Sequence, residues 1–266
     1  MTRQPELVVK RQEYVCTLVI NRPEKANFLI PECLHNMANT IEDLADEGSV
    51  RVLVIRGAGD KFFSAGFDIS ELAAATSPDI RASLKKTTPL EKALLSIRNF
   101  PYPVIAMLNG HAFGGGCELA IGCDIRIAAQ RTNMGMPPAK LGLVYPYQGY
   151  RRFLTVLGFA RTLEIFLTGR TYDSQSCLKM GLVNHVVDDA DFESFTYDLA
   201  EELVDNAPLS LQGTKSALYK ITEYPMLEKD DEDALRALFI NSLQSEDLKE
   251  GKMAFLEKRN PHFKGR

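Results

Sequence analysis

The sequence lacks the marks of several whole classes of protein. It has no Cys-x-x-Cys pair, and its five cysteines (Cys16, Cys33, Cys117, Cys123 and Cys177) are scattered. That spacing argues against a disulfide framework and for free thiols in a reducing compartment, expected to be the cytoplasm. Its four histidines, His35, His111, His185 and His262, are dispersed without metal-ligand spacing. No bound metal is therefore expected. The opening Met1-Thr-Arg-Gln-Pro-Glu has no apolar stretch of signal-peptide length, so no secretory leader is expected. The long uncharged run Asn99 to Cys117 is broken by Pro101, Pro103 and three consecutive glycines. A membrane helix is not built that way, and no membrane partner is expected. Charge of one sign is scarce as well: 31 Lys and Arg against 35 Asp and Glu give a net charge of −4. Such a balance leaves no global footprint for nucleic acid.

What is present is ordinary globular material. The 266 residues are 45% hydrophobic and 25% charged, which excludes disordered, collagenous and coiled-coil readings. The length is ample for a full hydrophobic core. Val- and Ile-rich runs at Val15–Ile20, Val52–Ile55, Val104–Leu108, Ile125–Ala129 and Leu182–Val187 predict strands. Between them, Ile30–Ala45, Pro89–Asn99 and Arg152–Leu167 carry helical spacing. Alternation of the two predicts an α/β architecture with much parallel pairing. From Asp189 to Lys258 the pattern becomes almost wholly helical. Phe195, Leu199 and Leu203 make one stripe, Ala207-Pro208 opens a segment running through Leu218, and Leu235, Leu238 and Phe239 begin another. The chain is thus expected to divide near residue 190 into an α/β body, 1–190, and a helical region, 191–266. A helical region of that size on a compact body suggests contacts between subunits.

Two glycine-bearing segments could carry chemistry. Phe62-Phe-Ser-Ala-Gly-Phe-Asp-Ile69 follows the strand Val52–Ile55 and a Gly57-Ala-Gly-Asp60 turn. Gly57-x-Gly59 lacks the third glycine of a dinucleotide fingerprint. Asn109-Gly-His-Ala-Phe-Gly114-Gly-Gly-Cys-Glu118-Leu follows the strand Val104–Leu108 and reads as strand, tight turn and helix start. Three glycines let a backbone approach a ligand closely, and a helix start offers unpaired N–H groups suited to an oxyanion. Glu118 falls in that first turn; as structure alone it is a dipole-favoured acid. Cys117 is readable as a nucleophile or as a small core residue, and His111 as a general base or a structural histidine. Gly213-Thr-Lys215 lacks the earlier glycine of a phosphate loop, and no Gly-x-Ser-x-Gly elbow occurs.

Taken together, these segments resemble the crotonase superfamily, the enoyl-CoA hydratase/isomerase family, nearly end to end. Asn21-Arg-Pro23 with Asn27, Ser64 to Ile69, Asn109 to Leu119, Leu167-Thr-Gly-Arg170, Met180-Gly-Leu-Val183 and Gly251 to Arg259 carry the likeness. The resemblance implies a spiral of repeated ββα units followed by a helical trimerisation region, in a homotrimer or a hexamer formed by two trimers. It implies an acyl-CoA thioester as substrate, with coenzyme A entering as part of that substrate and no separate cofactor. The backbone N–H groups of Ala65 and Gly115 match the family's oxyanion donors, and Glu118 matches its first catalytic glutamate. Lys25, Ala26, Gly66, Phe67, Asp68, Ile69 and Gly114 match substrate-lining positions, and Lys258 matches a cation for a CoA phosphate.

One departure bears on the reaction. The family's second catalytic acid should fall in Met134-Gly-Met-Pro-Pro138, and alignment from Glu118 puts Pro138 there. Its loss also resembles the methylmalonyl-CoA decarboxylase branch, as do Ser64-Ala-Gly66 and Leu141-Gly-Leu-Val-Tyr145. Tyr145 matches a tyrosine near that branch's reacting carboxyl, whereas Phe67 stands where the branch has histidine. Retention of Glu118 puts hydration of a 2-enoyl-CoA ahead, by a single glutamate with Tyr145 as auxiliary. The alternatives are decarboxylation of a methylmalonyl-type thioester and a non-catalytic CoA-binding protein.

Overall fold

A computed structural model of the chain describes residues 5–67, 88–222, 233, 236–237, 240–241, 243–259 and 261–262. The chain lays its longer strands and one short one into a first sheet and the other short strands into a second. The first sheet holds β1 (Leu7–Gln12), β2 (Val15–Ile20), β3 (Val52–Gly57), β5 (Val104–Leu108), β7 (Ile125–Ala129) and β10 (His185–Val187), side by side in that order. The second holds β4 (Phe62–Ser64), β6 (His111–Phe113), β8 (Asn133–Gly135) and β9 (Thr171–Asp173). Only the β1–β2 and β8–β9 pairs run antiparallel among these strands. The helices are α1 (Pro31–Glu47), α2 (Pro89–Asn99), α3 (Gly115–Ile121), α4 (Tyr147–Thr168), α5 (Ser174–Met180), α6 (Phe192–Asp205), α7 (Pro208–Ile221) and α8 (Glu246–Glu257). Thus β3-β4-α2 and β5-β6-α3 repeat one ββα turn, and β7-β8 begins a third.

Strands β2, β3, β5 and β7 of the larger sheet are buried on both faces, which explains their continuous apolar runs. Alternate residues go to opposite sides. Leu53, Ile55, Val104, Ala106 and Leu108 face the main core with α1 and α2. Val52, Val54, Ile105, Met107 and Ile127 face a second core closed by Phe192, Phe195, Ala200 and Leu203 of α6. Helix α6 therefore covers the sheet's back.

Local signals set the helix limits. Pro31 opens α1 at its first position, and Gly48, left-handed at φ 69°, closes it with an N–H to Leu44 O. The Thr88 side chain caps α2 by accepting from the Glu91 N–H at 3.1 Å. Two expectations are corrected at their edges. The expected strand from Leu182 begins only at His185, because left-handed Gly181 ends α5 and the Leu182 N–H returns to Cys177 O at 2.9 Å. Helix α4 begins at Tyr147 rather than Arg152, and it bends at Gly158. The stripe expected from Leu235, Leu238 and Phe239 lies outside the described residues.

Candidate active site

The glycine turn after β6 brings the two motif segments together. A side chain at Gly66 would meet Phe113 O at 2.7 Å and the Gly115 nitrogen at 2.9 Å, and Gly66 itself is left-handed at φ 88°. Only glycine allows that approach. A side chain at Gly115 would meet the Phe67 ring at 2.9 Å, so this ring rests on the start of α3.

The backbone donors at this junction differ from expectation in one respect. The Ala65 N–H donates to Ala26 O at 3.0 Å and is committed within the protein. The Gly66 N–H donates to Ser64 Oγ at 3.1 Å. The Phe67 N–H finds no acceptor among the described residues, and neither does that of Gly115 at the head of α3. The Ala65 N–H expected as a donor is thus spent, and in this segment it is the Phe67 N–H that stays open. An extended segment turns successive N–H groups different ways, and here the first of the three anchors the loop at Ala26.

Glu118 is 5% exposed, in the first turn of α3. The Tyr145 hydroxyl donates to its Oε2 at 2.5 Å, and Arg152 Nη1 donates to its Oε1 at 2.8 Å. Arg152 Nη2 donates onward to Glu91 Oε1 at 2.6 Å. Burial raises the Glu118 pKa above the ordinary carboxylate value. Arg152 and the Tyr145 hydrogen bond pull it back, and the Glu91 charge pushes it up. Burial, and then the Glu118 charge, raise the Tyr145 phenol well above its usual value, so it stays protonated. Burial works against the Arg152 charge, but Glu118 and Glu91 outweigh it and its pKa is raised.

These groups line a cavity of about 1330 Å³ that also touches Phe67, Leu94, Leu143 and Tyr147. Gly149 on α4 makes the packing possible, since a side chain there would collide with the Tyr145 ring and reach Glu118 Oε1 at 3.1 Å. Cys117 is fully buried, and burial drives its thiol far up, so it is a core residue rather than a thiolate. The His111 ring stacks edge-on with Phe62 and accepts from the Asn133 N–H, and burial lowers its pKa. Lys215 Nζ is spent on Asp124 at 2.7 Å and on the carbonyls of Ile97 and Tyr102.

Pro138 is buried at the head of a 3₁₀ turn, Pro138–Leu141, and supplies no acid. Glu91 of α2 is a carboxylate of this cavity that the sequence did not announce, as Arg152 is a cation that it did not announce. Lys25 and Lys258 are exposed, Ala26 is half-buried, and Gly114 sits half-buried before α3 with its N–H on Gly135 O. Asp68 and Ile69 lie outside the described residues. Among the described residues no group of three or more His, Cys, Asp or Glu is placed to hold a metal ion. No helix among them is long and apolar enough to cross a membrane.

Comparison with known proteins places this geometry in context. The enoyl-CoA hydratase/isomerase family model matches residues 10–266. The chain is 35% identical to carnitinyl-CoA dehydratase of Escherichia coli K12 over 267 residues, covering 98% of both chains. It is 35% identical to 2,3-dehydroadipyl-CoA hydratase of the same strain over 261 residues, covering 98% of this chain and 99% of the relative. A solved structure of methylmalonyl-CoA decarboxylase in complex with 2-nitronate-propionyl-CoA superposes with a TM-score of 0.89 at 30% identity. That likeness covers 98% of this chain and 99% of the other.

Proposed function

The chain belongs to the enoyl-CoA hydratase/isomerase family and is an enzyme of it; from that premise we propose that it adds water reversibly to a 2-enoyl-CoA thioester. The observation that carries this reading is the buried Glu118 carboxylate, fixed between Arg152 and Tyr145 in a large cavity that Phe67 also lines, with the open Phe67 and Gly115 N–H groups where the Phe67 ring rests on the start of α3. The Phe67 and Gly115 N–H groups hold the thioester oxygen as enolate charge develops on it. Donors that are oriented beforehand stabilise such charge by roughly 3–4 kcal/mol each. Water then bonds to C3, and its proton passes to Glu118. Glu118 returns a proton to C2 as the enolate collapses. One carboxyl thus serves as base and then as acid, and a raised pKa suits both tasks. Tyr145 keeps Glu118 Oε2 aimed.

The remaining assignments have local support. Exposed Lys25 and Lys258 are suited to CoA phosphates, and Ala26, Gly66 and Gly114 shape the loops beside the donors. Phe159, Leu163 and Leu167 form an exposed apolar stripe at four-residue spacing on α4, which supports a subunit contact in a homotrimer or hexamer. The division at residue 190 into a catalytic core and a helical oligomerisation region is part of the same proposal. Five buried, unpaired cysteines fit a reducing cytoplasm.

A second reading is favoured by the shape likeness to methylmalonyl-CoA decarboxylase and by the proline at 138. Decarboxylation needs the oxyanion hole but no base, because the departing carboxylate supplies the electrons. Mass spectrometry after separate incubation with crotonyl-CoA and methylmalonyl-CoA decides between them. Hydration predicts a gain of water on crotonyl-CoA that Glu118→Gln lowers at least about a hundredfold. Propionyl-CoA from methylmalonyl-CoA, with crotonyl-CoA untouched, would replace hydration by decarboxylation.

A further inference from the structure

Hydration as described gives no task to Glu91 and none to the far side of Arg152. Yet Arg152 divides its guanidinium between two carboxylates from two other elements, Glu118 of α3 and Glu91 of α2. A guanidinium facing one carboxylate normally engages both of its oxygens. Here each Nη takes a single oxygen of a different partner, at 2.8 and 2.6 Å. The side chains are 20% exposed for Arg152, 19% for Glu91 and 6% for Glu118, so bulk water screens the chain of charges poorly. Its formal sum is one negative charge, and its most buried member shares the one cation that pairs with it among the described residues. Glu91 is held in place independently, since its own N–H sits on the Thr88 cap at the head of α2.

We propose that Arg152 is a positioning residue that keeps Glu118 ionised and aimed, and that Glu91, by drawing off half of the guanidinium, sets how firmly it does so. The pair then fixes the pH at which Glu118 exchanges its proton. The consequence for rate rests on the reading of Glu118 as the proton-moving group; the ionisation itself does not.

The groups facing Glu118 make the direction definite. From the turn before α4, Tyr145 remains a phenol and donates to Oε2. From α3, the neighbouring Cys117 remains a thiol. From α4 comes Arg152, and from α2 come Glu91 and, further round the cavity, Arg98. Asp124, also on the cavity wall, is matched by Lys215. Removing the Glu91 charge therefore frees Arg152 for Glu118 and favours its ionised form. Removing the Arg152 charge does the reverse.

Infrared titration of the Glu118 carboxyl, with Glu118→Gln as the blank, reads this without turnover. Glu91→Gln should move the titration to lower pH by about one unit, and Arg152→Gln should move it up by at least as much. Arg152→Lys, which keeps the charge, should return it part of the way to wild type. Glu91→Gln is isosteric, so it carries the test together with Arg152→Lys if Arg152→Gln does not fold. A Glu118 band titrating at the wild-type pH in Glu91→Gln and in whichever Arg152 variants fold overturns the proposal. The acid limb of kcat/KM on crotonyl-CoA should follow the infrared shifts. Band shifts with an unmoved rate profile would remove Glu118 from catalysis while leaving its control by Arg152 and Glu91 in place.

Discussion

At the scale of the residue, the site depends on what is missing as much as on what is present. Gly149 lacks the methyl that would collide with the Tyr145 ring. Gly149→Ala should push that ring off Glu118, breaking the 2.5 Å hydrogen bond. Overpacking of this kind costs about 2 kcal/mol. Thermal unfolding should show that loss, and steady-state assay with crotonyl-CoA should show kcat falling about tenfold or more with KM little changed. The sequence made Glu118 legible, because three glycines and a helix start fix its place within a few residues. Arg152 and Glu91 were not legible, since Arg152 lies 34 residues from Glu118 and 61 from Glu91. Only the folded chain brings α2, α3 and α4 to one point. That the Ala65 N–H is spent while the Phe67 N–H is open has a different cause: a motif names the segment, but the availability of each N–H depends on whether a loop carbonyl such as Ala26 O has already taken it.

At the scale of the element, the docking of α7 depends on one lysine. Lys215 Nζ reaches the end of α2, the turn before β5 and Asp124 in the turn before β7, and the Tyr219 hydroxyl donates to the same aspartate at 2.9 Å. Burial lowers the Lys215 pKa, opposed by the Asp124 charge. Lys215→Met should leave Asp124 poorly compensated and cost about 3 kcal/mol, read as a lower urea midpoint. Long elements were the legible ones. The strands Val15–Ile20, Val104–Leu108 and Ile125–Ala129 and the helix Pro89–Asn99 stand where periodicity put them. Strands β4, β6, β8 and β9 span three residues each, too few to display a period of two. Their identity comes from pairing with one another, which is a property of the spiral and not of any one segment.

At the scale of the whole molecule, acid should loosen the fold through its surface pairs. The Arg11 hydrogen bonds, helped by Ser49, bring Glu47 down to about 2, and those from Arg259, helped by the His262 N–H, bring Glu250 to about 2. A folded pKa below the unfolded one gives stability above the ordinary carboxylate range, lost as pH falls toward 2. Glu118 acts in the opposite sense, because its folded pKa is raised: its contribution weakens as pH rises through that value. Urea midpoints should therefore fall as pH drops from about 4.5 toward about 2. The Glu47→Gln, Glu250→Gln double variant should flatten that slope, and added salt should flatten it in the wild type. An unchanged slope in the double variant would show that these pairs contribute nothing.

Asn109 carries a chemical consequence beyond its place in the turn after β5. Its side chain accepts from the Gly57 N–H at 2.9 Å and donates to Gly59 O at 2.7 Å, and it is 1% exposed. Asn-Gly is also the dipeptide whose backbone nitrogen most readily closes on the side-chain amide, expelling ammonia through a succinimide. The native bonds hold that amide still and away from water, so the folded protein ages slowly at this step. Each excursion to the unfolded chain releases it, and an aspartate formed there would return to a buried acceptor carbonyl with no proton to give. Thermal damage at this asparagine would therefore be recorded covalently, at the turn that tethers Gly57 and Gly59.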